Sequence, residues 1–128
     1  MIVLDTHAWL WHIAARERLS AKVRSAIETG EDLGVCTITC WEVAMLQRLR
    51  RIALDRPVRE WVSRGLAHER IESIPLSPEI ALDAALLPGG FPGDPADRII
   101  YATARRFQAR LATKDAALRR FDRKTTFW

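Results

Sequence analysis

The chain of 128 residues is poor in cysteine, with only Cys36 and Cys40, and neither stands near a His or Cys pair at metal-ligand spacing. A zinc centre needs three or four such ligands and is excluded; in a reducing compartment the two thiols are expected to pack rather than to form a disulfide. Long apolar runs are missing too, since even the start Met1-Ile2-Val3-Leu4 meets Asp5. A membrane-spanning helix needs about 18 such residues, so none is expected. The N-terminus lacks the basic, apolar and small-residue order of an export signal, and a cytoplasmic location follows as an expectation. The glycine-rich stretch Pro88 to Gly93 lacks the Lys-Ser/Thr ending of a phosphate-binding loop. No internal repeat or linker interrupts the chain.

What is present suits one globular domain covering residues 1–128. Hydrophobic residues make up 48% and charged residues 28%, too apolar a balance for a disordered chain. The formal charge is +4, carried by 17 Arg and only 3 Lys against 16 acids. Guanidinium forks suit phosphate, which admits a polyanionic partner, but a small excess spread along the chain fits solvated helix faces equally well. The five Trp, at 9, 11, 41, 61 and 128, read as core or subunit-contact residues rather than base-stacking platforms, because none sits in a basic-aromatic repeat.

The short apolar run Met1 to Leu4 reads as a buried strand, followed by a turn or short helix carrying Ala8 to Trp11. Ser20 caps a helix that Gly30 ends. Leu33 to Ile38 reads as a strand, with Thr39 capping the next helix through Leu49. Pro57 opens a helix to Ala67, Ile71 to Leu76 is a third strand, and Ser77-Pro78 starts a helix to about Leu87. After the loop, Asp94-Pro95-Ala96-Asp97 has the form of a capping box and opens the longest helix, to about Gln108. Arg110 to Thr113 is a strand, Asp115 to Phe121 a short helix, and Thr125 to Trp128 a closing strand. Strands that alternate with helices imply an α/β fold, with a parallel sheet covered on both faces.

Ligands of such sheets bind at the carboxyl ends of the strands. Asp5 ends the first strand, Glu42 lies early in the helix after the second, Asp94 and Asp97 open the long helix, and Asp115 follows the fourth strand. All five reach the same edge. Each also has a plainer role, since Asp94, Asp97 and Asp115 suit a helix start and Glu42 favours the positive end of its helix. Asp5 is hardest to explain that way, because a carboxylate just beyond an apolar strand begins near the core and needs a partner. Together the acids would repel one another unless they held protons or shared a cation, and oxygen-only ligation suits Mg²⁺ or Mn²⁺. The hydroxyls of Thr6, Thr39 and Thr113 neighbour Asp5, Glu42 and Asp115 and are placed to steady them. His7 is close enough to touch the site but lacks a second nitrogen ligand.

The blocks Leu4-Asp5-Thr6, Thr39-Cys40-Trp41-Glu42-Val43-Ala44, Asp94-Pro95-Ala96-Asp97-Arg98 through Ala104, and Ala112-Thr113-Lys114-Asp115 resemble, in order and over the whole length, the PIN-domain family. More narrowly they resemble its VapC-type ribonuclease toxins. The resemblance implies a three-layer α/β/α sandwich with a mainly parallel sheet of four to five strands, and a Mg²⁺- or Mn²⁺-dependent endoribonuclease. It puts the family's four acids on Asp5, Glu42, Asp97 and Asp115, an additional metal-side acid on Asp94, and a hydroxyl on Thr6. It further implies a VapB-like antitoxin partner and a homodimer. Relatives often carry Ser at the position of Cys36 and His at that of Pro92. Arginines beside the acids, Arg98 among them, are expected to hold the RNA backbone. A phosphoacceptor signalling domain is the main rival by length and alternation, but it wants an acid pair after the first strand and an Asp after the third. A non-catalytic binding module that kept the fold is the other.

Overall fold

Strand β1 (Ile2–Leu4) shows why the sheet is sealed on both sides. Its three residues are fully buried, Ile2 and Leu4 in one apolar cluster and Val3 in the other, as the two-residue period of a strand requires. The computed structural model describes all 128 residues. In chain order the remaining elements are α1 (Thr6–Ala14), a short 3-10 turn (Arg16–Arg18), α2 (Ala21–Glu28), β2 (Leu33–Cys36), α3 (Thr37–Arg48), α4 (Val58–Leu66), β3 (Ile71–Ile74), α5 (Pro78–Ala85), α6 (Pro95–Arg106), β4 (Arg110–Ala112), α7 (Ala116–Phe121) and β5 (Thr126–Phe127).

The five strands lie in the order β3-β2-β1-β4-β5, all neighbours parallel, with Ile2 paired to Leu33 on one side and to Arg110 on the other. One helical layer packs Trp9, Val23, Ile27 and Trp61 against the sheet. The opposite layer packs Ile80, Ile100, Tyr101 and Leu118. The expected three-layer α/β/α sandwich is what the chain forms, with five strands. Because β1 sends its chain toward β2 while β4 returns on its other flank, the strand order reverses between β1 and β4. That reversal opens a crevice at the carboxyl ends of those two strands.

Most boundaries shift by a residue or two. Of the turn or short helix expected after β1, the helix is what forms: α1 starts at Thr6, and Asp5 caps it by accepting the amide of Ala8 at 2.8 Å. Conversely, β2 stops at Cys36 and α3 begins at Thr37, so Thr39 does not cap it. Thr39 lies one turn inside the helix, fully buried, and its hydroxyl has no hydrogen-bond partner. The two thiols are free, and burial pushes Cys36 up to about 11, which keeps it inert as a thiol. No helix is long and apolar enough to cross a membrane.

Candidate active site

Three helices begin at the crevice, and each is capped by one of the acids singled out above. Asp5 caps α1. Asp94 caps α6, its Oδ1 accepting the Asp97 amide at 2.9 Å while Asp97 Oδ2 accepts the Asp94 amide at 3.3 Å. Asp115 caps α7 by accepting the Leu118 amide at 3.0 Å, and its own amide donates to Thr113 Oγ1 at 3.2 Å. The plain and the functional readings are therefore both true. A cap occupies one carboxylate oxygen of Asp94 and Asp115 and leaves the other free, and Asp5 accepts from Thr113 besides its cap, while the helix N-termini add positive potential that favours negative charge there.

Glu42 reaches the same place from the middle of α3, where the Thr6 hydroxyl donates to its Oε1 at 2.5 Å. Asp5, Glu42, Asp94, Asp97 and Asp115 together line a cleft of about 490 Å³, joined there by Thr6, His7, Trp11 and Lys114. The loop before α6 is held against it: a Cβ on Gly93 would lie 2.7 Å from the Asp97 Cβ and 2.6 Å from the Phe91 ring, so only glycine fits.

The electrostatics single these acids out. Burial raises the carboxyl of Asp5, against hydrogen bonds from Thr113 and Ala8 that favour its charged form. Burial likewise raises Glu42, helped by the nearby charges of Asp94 and Asp5 and opposed by Thr6. Asp97 is raised to about 7 by burial and by the negative charge of Asp94. None of the five acids belongs to any of the molecule's seven ion pairs. Converging carboxylates, three of them with raised affinity for protons and none in an ion pair, are a group that an external cation would satisfy.

The donors are all hard oxygens, as Mg²⁺ or Mn²⁺ prefers. As they stand, no three of the protein's His, Cys, Asp or Glu side chains are close enough together to close around an ion. The set is open, and it fits a cation that keeps water in its shell better than one wholly caged by protein.

Three expectations change at this level. Thr39 is absent from the cleft lining, and the hydroxyls that serve the acids are those of Thr6 and Thr113. Arg98 turns away from the cleft: its Nε donates to the Ala84 carbonyl at 3.1 Å and its Nη2 to that of Leu87 at 3.3 Å, and the guanidinium lies 5.5 Å from the Phe91 ring. It seals the end of α5, whose last carbonyls lack helical partners. The cation that does face the acids is Lys114, whose place beside Asp115 carries no mark of that role in the sequence. Its Nζ sits 5.4 Å over the Trp11 ring.

Fold and site together define a parallel α/β domain whose acids converge at the switch point of its sheet. The PIN domain matches residues 2–124, and the chain belongs to the PIN-domain family, among its VapC-type members. Ribonuclease VapC22 of Mycobacterium tuberculosis is 42% identical over 129 residues, which cover 99% of this chain and 98% of that protein. Among solved structures the fold is similar to a toxin-antitoxin complex from Klebsiella pneumoniae, with a TM-score of 0.70 at 19% identity over 100% of this chain and 97% of that one. It is also similar to FitAcB from Neisseria gonorrhoeae, with a TM-score of 0.64 at 22% identity over 100% and 97% of the two chains.

Proposed function

We propose that the chain is a metal-dependent endoribonuclease and the toxin of a VapBC-type toxin-antitoxin pair, active in the cytoplasm. The observation that carries this reading is the cleft of five carboxylates, none of them paired with a cation of the protein itself. Asp5, Glu42, Asp97 and Asp115 would hold Mg²⁺ or Mn²⁺, with the free oxygen of Asp94 beside them. When bound, the ion supplies the acidity that generates a nucleophile from water and offsets the charge of the phosphodiester.

The protein's own groups do the rest. Thr6 orients Glu42, and the α1 and α7 caps fix one oxygen of Asp5 and Asp115. Lys114 offers a charge to the non-bridging phosphate oxygens. Hydrolysis with loss of the 3′-oxygen leaves 5′-phosphate and 3′-hydroxyl ends.

The ribonuclease name of the 42% identical relative supports RNA as substrate. The structural similarity to a toxin-antitoxin complex supports a VapB-like antitoxin as partner. Leu82 and Leu86 are 62% and 81% exposed on one face of α5, which supports a homodimer that covers them. Cleavage of RNA by the purified protein in Mg²⁺ or Mn²⁺, its loss in EDTA and the sequence of the cut ends test the proposal. Equal cleavage in EDTA would refute it. A PIN fold that only binds would show metal or partner binding without any cut.

A further inference from the structure

Three aromatic rings join the elements that carry the acids of the α6 and α7 side of the cleft. Phe91 stands in the loop between α5 and α6, yet it is only 6% exposed, although loop side chains ordinarily lie at the surface. Its ring lies 5.1 Å from that of Tyr101 on α6 and 5.3 Å from that of Phe121 on α7, and Tyr101 and Phe121 are 6.0 Å apart, so each ring meets the other two. Both contacts of Phe121 are edge-to-face at 79°, an arrangement that the ring quadrupoles favour. The Arg98 guanidinium, anchored on the Ala84 carbonyl, lies against Phe91 as well.

The elements so joined are those that present Asp94, Asp97 and Asp115. Tyr101 follows Asp97 by four residues, one turn along the same face of α6. Phe121 is the last residue of α7, the six-residue helix that Asp115 caps and that spans about 9 Å. Phe91 precedes Gly93 by two residues, and its ring presses on that glycine from the side opposite the Asp97 Cβ, leaving no room for a side chain between them. No backbone hydrogen bond joins α6 to α7, and none of the bonds of Asp97 or Asp115 runs to the other acid. The spacing of these two carboxylates is therefore set by how α6 packs on α7. Leu118 in the shared core, the three rings, and the links from Asp122 to Tyr101 at 2.8 Å and Arg105 at 3.7 Å make that packing. Neither Phe91 nor Phe121 lines the cleft itself.

We propose that Phe91, acting with Phe121, is a positioning residue of the metal site: its ring, wedged between α6 and α7, fixes the spacing of Asp97 and Asp115 and keeps the capping box of Asp94 and Asp97 seated at the cleft. The inference rests on the metal-dependent reading above. A ring suits this task because it is rigid and meets both partners at once with a defined angle, whereas an aliphatic side chain fills volume without fixing direction. Asp97 and Asp115 need such support from outside, since each is held only by hydrogen bonds within its own helix start. A small cation with strict geometry binds less well when its donors drift apart.

Calorimetric titration of the full chain with Mn²⁺ tests this without turnover. The variants are Phe91→Leu, which keeps most of the volume, and Phe121→Ala, at a side chain already 39% exposed, so that both leave a folded protein. Each is expected to weaken Mn²⁺ binding about tenfold, and the two together by little more than either alone, because they remove the same contact. Val23→Ala, in the opposite apolar cluster and away from the cleft, is expected to lower the unfolding midpoint at least as far and to keep the wild-type Mn²⁺ affinity. In cleavage assays Phe91→Leu should lower kcat and leave KM for RNA within about twofold. Wild-type Mn²⁺ affinity in both ring variants, or a loss in Val23→Ala as large as theirs, would overturn the inference and leave the rings as packing alone. A wild type that binds no Mn²⁺ would overturn the metal reading itself, and this inference with it.

Discussion

Two sets of carboxylates in this protein meet opposite electrostatic fates. Five outside the cleft, Glu31, Asp55, Glu60, Asp83 and Asp122, are paired with cations of the protein. Glu31 binds the N-terminal ammonium at 2.9 Å and Arg110 at 3.1 Å, which holds its carboxyl below the usual range. Burial works against the Asp122 carboxylate, but hydrogen bonds from Thr125, Tyr101 and Lys124 outweigh it and pull the group down to about 2. Inside the cleft, burial raises Asp5, Glu42 and Asp97, and none of them has an ion-pair partner. Residue type is the same in both sets; what differs is whether the fold supplies the counter-charge. On the proposed reading, a region that withholds it leaves the acids to an external ion.

The largest effect expected from breaking this contrast is on activity. Asp97→Asn or Asp5→Asn should lower RNA cleavage by at least about a hundredfold, on the scale of losing one preorganised electrostatic contact or more. Thermal unfolding should stay at the wild-type midpoint or rise, because Asn keeps the cap of Asp5 and removes repulsion from either site. A clear fall in the midpoint with cleavage retained would reverse the assignment.

Asp122→Ala should do the opposite. It deprives the Tyr101 hydroxyl and two backbone amides of their acceptor, at a cost of about 1–3 kcal/mol by denaturant titration, while each folded molecule keeps its activity.

Metal and pH sharpen the same comparison. Mn²⁺ at about a hundred times its dissociation constant should stabilise the wild type by about 2.7 kcal/mol, and Asp97→Asn should largely lose that gain. For an acid whose folded value lies above its unfolded one, the folded state binds the extra proton. The contribution of Asp97 to stability is therefore greatest below its ordinary value of 3.8 and disappears as pH rises through about 7. Asp122 has the reverse sign, with a contribution present above 3.8 and lost as pH falls through about 2. Metal-free protein should thus lose stability between pH 4 and 7 through the cleft acids. Asp97→Asn should flatten that slope, and Mn²⁺ affinity should weaken as pH drops below about 7. The smallest effect belongs to the half-exposed pair of Arg106 and Asp83, 2.9 Å apart, where removing either partner should cost less than about 1 kcal/mol.

Much of the site is legible in the chain because helix capping is local. Asp94 and Asp97 serve one another across three residues, so the box is visible as Asp94-Pro95-Ala96-Asp97 before any fold is known. Asp5 and Asp115 likewise announce the starts of α1 and α7. Arg98 and Thr39 were misplaced for the contrary reason. Arg98 is one residue from Asp97, yet its side chain answers to the end of α5, which it meets through the packing of α5 on α6. Thr39 looked like a cap because Leu33 to Ile38 is β-prone throughout, but β2 gives way to α3 two residues early and the hydroxyl is carried into the interior. His7 is legible only through its closeness to Asp5, Lys114 carries no signal of its own, and a second cavity, beyond Trp11, is assembled from three separate stretches of chain.

The scarcity of cysteine, the want of long apolar runs and the alternation of short strands with capped helices were enough, without coordinates, to indicate an α/β fold and five acids at its strand ends. These properties depend on neighbours a few residues apart. The strand order β3-β2-β1-β4-β5 is what sets Asp5 beside Asp115 and brings Glu42 and Asp97 to them. Tertiary structure alone decided which carboxylates would be matched by arginine and which left without a counter-charge, because burial and distance between remote segments, not residue type, determine the energy of a charge.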